Sequence, residues 1–361
     1  MNSTSALLQI RRSRDGLLLV PLVLWLVTLF TTALFSNLCF AQGIDNIRLG
    51  IIGCDTSHAP EFAKILNAVE ASGPLASVRV TVAYPGGSND LPESRDNVDN
   101  YVKQLKGMGI EVVDSIDELL DRVDAVLLES VDGRPHLGQA RKVFASKKPV
   151  FIDKPLAASL ADVVEILQVA EESGTPCFSA SALRYGPAVL NARAKGNVGD
   201  ILGCAAYSPC ELEPHHADLF WYGVHGVETL IAIMGTGCES VIRVQSDGTE
   251  LVVGVWKDGR IGTFRGTRTG PHAYGATLYG SKRVEHFVGF DGYEPLVLEI
   301  ATFFQTQQPP VAAEETLEIF AFMEAADESK RLNGLPVTLE SVLQKAREEV
   351  AHRKRPQQSG N

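Results

Sequence analysis

The stretch Gly50-Ile51-Ile52-Gly53-Cys54-Asp55-Thr56-Ser57-His58 runs an apolar strand into a helix start, where a dinucleotide-binding unit would read G-x-G-x-x-G. The three glycine positions hold Gly53, Asp55 and His58. In that fingerprint the second glycine lets backbone approach a pyrophosphate and the third lets helix and strand pack closely. Asp55 sets a negative charge there, and repulsion between unit charges about 4 Å apart is about 1 kcal/mol in water and about 4 kcal/mol at an effective dielectric near 20. The hydroxyls of Thr56 and Ser57 and the free amides of the helix start favour an anion, unless Asp55 caps those amides itself. Lys154 directly follows a short apolar run, at what would be the carboxyl end of a buried strand. From there its ammonium can hydrogen-bond a substrate hydroxyl and stabilise a developing alkoxide, or it can simply pair with Asp153.

His225, in Trp221-Tyr222-Gly223-Val224-His225-Gly226-Val227-Glu228, is placed by the pattern on the first turn of a helix. It is a candidate proton acceptor, with Glu228 three residues on and on the same face to orient its imidazole; the alternative is an inert, hydrogen-bonded core histidine. His215, His216 and Asp218 form a dense group that, with His225, has the donor chemistry of a zinc or manganese site. Their spacing matches no recognised ligand pattern, and the stretch reads equally as a surface loop.

The elements that must position these residues alternate. Strands are expected over 47–52, 77–84, 110–113, 125–129, 150–152 and 177–182, with helices over 59–71, 95–108, 116–121, 137–145 and 160–173. That spacing describes an α/β, Rossmann-like doubly wound parallel sheet over 47–182. From 200 the chain changes character: Val, Thr, Tyr and Phe runs are split by Asp247-Gly248, Asp258-Gly259 and Gly280-Ser281, as in hairpins. An α+β domain with an open antiparallel sheet is expected over 183–340, one face covered by helices at 224–234, 295–306 and 314–331. A C-terminal helix and frayed tail complete 341–361.

The 361-residue chain is 45% hydrophobic and 21% charged, the balance of a folded globular protein. Residues 1–41 read as a signal peptide: Arg11, Arg12 and Arg14 precede an apolar run over 17–35, and small residues lead to a cut after Ala41. The implied location is periplasmic or secreted, or membrane-anchored if the leader stays. Net charge is −11, and removal of the leader, with three Arg and one Asp, leaves −13, which argues against nucleic acid as a partner. Five cysteines remain, without C-x-x-C, so neither a disulfide framework nor a zinc ribbon is expected.

Residues 123–157, VDAVLLESVDGRPHLGQARKVFASKKPVFIDKPLA, resemble the glucose–fructose oxidoreductase, inositol dehydrogenase and MocA family, with Asp153-Lys154-Pro155 where that family has E-K-P. The words LRYGPAV (183–189), GNVGDILG (196–203), GVHGVETLIAIMG (223–235) and FMEAADESKRLNGLPVTL (322–339) are similar too. The resemblance implies NAD- or NADP-dependent oxidation or reduction of a sugar or polyol hydroxyl. Lys154 and His225 would act on that hydroxyl, and Gly53, Asp55, Thr56, Ser57, His58, His136 and Asp153 would lie on the cofactor side. The family segment reads D-x-G-x-H where this chain has Trp221 in the acidic position.

Trp221 and Tyr222 could stack on a sugar face, and Arg184 and Tyr185 are expected at the cleft mouth, or in an inter-domain ion pair. His136 could instead cap a helix. No acid ends the second strand, where Tyr84-Pro85-Gly86-Gly87-Ser88 stands and Asp90 is the nearest, so NAD and NADP are not distinguished. Two other functions stay open: a non-redox carbohydrate-binding or regulatory module, and a metal-dependent sugar lyase or epimerase. Association into a homo-oligomer would use the antiparallel sheet.

Overall fold

The computed structural model describes residues 46–194 and 196–354; the expected leader at 1–41 and the end of the tail lie outside the described residues. Strand β1 (Ile47–Ile52) runs into the loop that carries Gly53 and Asp55, then the helix His58–Leu66. Strands β2 (Val78–Tyr84), β3 (Glu111–Val112), β4 (Ala125–Leu128), β5 (Val150–Ile152) and β6 (Cys177–Phe178) follow, giving the order β3-β2-β1-β4-β5-β6 with every pairing parallel. All residues of β4 and β5 are buried, because helices cover both faces of a parallel sheet. The order reverses between β1 and β4, the switch point where doubly wound folds open a ligand crevice.

Local signals set several boundaries. The helix expected to reach residue 71 stops at Leu66, because the Asn67 side chain bonds both the N–H and the C=O of Val80 and pins the chain to β2. The helix Pro92–Gly107 starts three residues earlier than its periodicity implied, with Pro at its first position. Helix Leu160–Ser173 opens on Ser159, whose side chain accepts from the Asp162 N–H, and closes on Gly174 at φ +63°. Strand β6 keeps two of its six expected residues, since the Ser181 N–H is taken by Glu228 rather than by a ladder.

The second sheet comprises β7 (Ile201–Pro209), β8 (Cys238–Ser246), β9 (Thr249–Trp256), β10 (Ile261–Thr267), β11 (Gly275–Gly280), β12 (Val284–Val288) and β13 (Val337–Thr338), in the order β12-β11-β7-β10-β9-β8-β13. It is mixed rather than wholly antiparallel: β7 and β10 pair in parallel, with the helix Val224–Met234 and the β8–β9 hairpin between them in sequence. Helices Val224–Met234 and Ala313–Arg331 cover one face. The helix Glu294–Thr306, expected on the same face, lies instead on the first domain, where Val297, Ile300 and Phe303 join Phe62, Phe151 and Phe178 in one apolar core. The last helix, Leu339–Arg353, also returns, and Arg353 pairs with Asp162 at 2.7 Å.

All five cysteines of the described residues are free, and burial pushes the Cys204 thiol up to about 12. Among the described residues no helix is long and apolar enough to cross a membrane.

Candidate active site

A cavity of about 500 Å³ opens where the loops after β1, β4 and β5 face the second domain. Thr56, Ser57, His58, Val131, Lys154 and Pro155 form its sheet wall; Ser181, Trp221, Tyr222, His225, Tyr274 and Tyr293 form the rest of the enclosure, with Glu211, His272 and Phe290 nearer the mouth. Lys154 is half-buried at the end of β5, and the peptide bond that joins it to Pro155 is cis. His225 shares a 2.8 Å hydrogen bond between its Nδ1 and Ser181 Oγ, and sits edge-on to Tyr222 and Tyr274. Burial, then the neighbouring charges of Lys154 and His58, hold its imidazole well below the ordinary histidine value, so it is a neutral acceptor at physiological pH.

Glu228 does not touch His225. One of its oxygens accepts from Arg184 Nε and the other from the Ser181 N–H, each at 2.8 Å, so it acts on the imidazole only through Ser181. Arg184 is fully buried and pairs also with Glu315 at 2.6 Å; Tyr185 is buried in the aromatic core. Neither lies at the cleft mouth, because a guanidinium held between two carboxylates is best satisfied inside the domain junction.

His136 is buried and does not line the cavity; its Nδ1 lies against the Leu156 carbonyl and its Nε2 against that of Ser130, so it ties two loops together. His215, His216 and Asp218 are not brought to His225. Both histidines bond Glu213, His216 Nε2 accepts from the Gly133 N–H, and Asp218 pairs with Arg243 and Lys330.

Gly53 sits at φ +91°, and a Cβ there would lie 2.4 Å from the Ser130 backbone nitrogen, so the loops after β1 and β4 approach as only glycine permits. Asp55 is fully buried and outside the cavity lining: it accepts from the Val131 N–H at 3.0 Å and from Ser94 Oγ at 2.6 Å. Its carboxylate therefore caps neither the helix amides nor the cavity, and burial raises its pKa. His58, at the third glycine position, places Nδ1 2.6 Å from Asp153 Oδ2; the carboxylate only accepts, so Nδ1 carries the proton. The ring stacks on Phe62 and meets Tyr293 edge-on.

Sequence reasoning missed Glu129, Ser181, Tyr274 and Tyr293. Glu129 had a signal, an acid at the carboxyl end of an apolar strand. It is fully buried, and burial, then Asp153, push it well above the ordinary carboxyl value. The two tyrosines arrive from loops about fifty residues or more beyond His225 and had none. Outside β2, Ser88 Oγ donates to Asp132, and Arg134 bridges Asp132 and Asp90 at 2.7 and 2.8 Å across the crevice.

Residues 47–181 match the model of an oxidoreductase family with an NAD-binding Rossmann fold. A comparison with curated protein sequences finds no match. Among solved structures, the chain is similar to a probable dehydrogenase from Thermotoga maritima, at TM-score 0.67 and 18% identity over 82% of this chain and 100% of that one. It is similar also to scyllo-inositol dehydrogenase from Lactobacillus casei, solved with NAD(H) and scyllo-inositol, at TM-score 0.65 and 16% identity over 82% and 99%. A third is myo-inositol 2-dehydrogenase from Lactobacillus plantarum, at TM-score 0.66 and 14% identity over 81% and 99%. These likenesses carry the two-domain fold, and residues 47–181 are similar to an oxidoreductase family with an NAD-binding Rossmann fold.

Proposed function

We propose that this protein oxidises or reduces a hydroxyl-bearing carbon of a sugar or polyol, with NAD or NADP as its redox partner. The observation that carries this reading is the convergence of Lys154 and His225 on one cavity at the carboxyl ends of the parallel strands, ringed by Trp221, Tyr222, Tyr274 and Tyr293. About 500 Å³ falls within the range of small-ligand sites and suits a monosaccharide-sized ring. The Lys154 ammonium donates to the substrate oxygen and favours its alkoxide. The neutral His225 takes the proton, and its Nδ1 bond to Ser181 leaves Nε2 as the ring nitrogen available to substrate.

The residues present fit the nicotinamide end of the dinucleotide. Thr56, Ser57 and His58 offer a helix start to the cavity, and the Asp55 carboxylate is withdrawn beneath the loop. When bound, the dinucleotide supplies the hydride acceptor or donor. On the adenosine side the Arg134 bridge spans the crevice, and its pair with the exposed Asp90 is screened by solvent and easily parted.

That bridge and the missing ribose acid favour a second reading, sugar binding in the same cavity without redox chemistry. Titration calorimetry of the purified protein with NAD(H) and NADP(H), followed by a screen of polyols and aldoses for dinucleotide reduction, separates the two. Micromolar binding and turnover support the first; no binding at millimolar dinucleotide sinks it and leaves the second.

The leader supports export, by cleavage after Ala41 or as an anchor. Leu202, Val244, Ile261, Tyr279, Val284 and Val288 lie exposed on strands of the second sheet and support pairing with a second copy there.

A further inference from the structure

The ligand atoms of His58, Glu129 and Asp153 lie within 4.8 Å of one another, all three residues are buried, and His58 also lines the cavity. Neither Glu129 oxygen has a hydrogen-bond partner, nor does Asp153 Oδ1. Lys154 is near, yet no hydrogen bond joins it to Glu129. Three carboxyl oxygens are thus buried without a hydrogen-bond partner in one spot, and buried polar groups are ordinarily hydrogen-bonded or bound to a metal.

We propose that His58, Glu129 and Asp153 bind one divalent transition ion of the zinc or manganese type. One imidazole and two carboxylates are the donor set such ions take, at about 2.0–2.2 Å from each ligand for zinc, which draws the three side chains inward by roughly 1 Å. His58 also lines the cavity and so gives the ion a route in from solvent. The site shares no residue with the His215, His216 and Asp218 group, whose side chains are already paired among Glu213, Arg243 and Lys330. Lys154 follows Asp153 directly in the chain, so an ion here would add a second positive charge near that lysine; this goes beyond the hydride chemistry proposed above and does not depend on it.

The test needs neither substrate nor dinucleotide. The full chain is stripped with a chelator, dialysed against zinc chloride or manganese chloride, and its metal content measured by elemental mass spectrometry, with cobalt absorption as the spectroscopic probe. One equivalent per chain is expected, with a higher unfolding midpoint in the loaded protein. Glu129→Gln and His58→Gln should each weaken binding by about a hundredfold or more, beyond the loss typical of outer-shell changes. Circular dichroism checks folding; if His58→Gln does not fold, Glu129→Gln, a near-isosteric change, decides alone. Absence of stoichiometric metal in the wild type overturns the proposal and leaves Glu129 as a protonated carboxyl. So does one equivalent that survives Glu129→Gln.

Discussion

Glu228→Gln should destabilise the fold strongly and slow the reaction through a residue that Glu228 does not share with substrate. The wild-type carboxylate, 4% exposed, accepts from Arg184 Nε and the Ser181 N–H, and Arg184 is fully buried. A glutamine can keep its carbonyl on only one of these donors. With the oxygen on Ser181, its NH₂ faces the guanidinium, donor against donor, and Arg184 keeps only Glu315. Loss of a hydrogen bond to a charged group costs about 1.5–3 kcal/mol, and a broken buried pair about 3–5 kcal/mol, so Gln should cost about 3 kcal/mol and Ala more. A chain of ordinary stability, about 5–15 kcal/mol, still folds after such a loss. Equilibrium urea unfolding reads the value. Ser181→Ala, which spares the ion pair, should cost about 1 kcal/mol while lowering kcat more than it changes KM, because His225 loses its anchor. A Glu228→Gln protein within about 1 kcal/mol of wild type would refute the claim that this pair holds the junction.

Lys154→Ala should lower turnover by about a hundredfold or more while the fold, read by circular dichroism, is retained; an active variant ends its assignment. Arg134→Ala, which removes the bridge to both Asp90 and Asp132, should tighten dinucleotide binding severalfold in calorimetry, and weaker binding would show that Arg134 holds the cofactor instead. Asp327 is buried against Arg243, and burial pushes its carboxyl up to about 7, with Arg243 opposing. Its folded value lies above the unfolded one, so its contribution to stability is full below about pH 4 and is lost as pH rises through about 7. Asp327→Asn should flatten that slope in urea unfolding measured across the interval, and an unchanged slope would assign it to another group.

The parallel domain was legible because each buried strand is a short continuous apolar run and each helix carries its own start and stop chemistry, as Ser159 and Gly174 do around Leu160–Ser173. Lys154 was legible for the same reason, since the end of β5 is a position that local pattern defines. The second sheet was read as antiparallel from its hairpin dipeptides, and those hairpins are present, but no local signal marks the parallel β7–β10 pairing that follows from a helix and a hairpin intervening.

Charges were the hardest to read. Arg184 and Glu228 are forty-four positions apart and His58 and Asp153 ninety-five, and which partner a charged side chain finds depends on where the backbone has already brought it. A strand or helix is decided mostly by neighbours within a few residues, so sequence alone determined most of the elements and the placement of Lys154 at the end of a buried strand. Desolvation and pairing are properties of the packed interior. Only the tertiary structure could turn Asp55 away from the cavity, route Glu228 to His225 through Ser181, and leave Glu129 buried beside His58 and Asp153.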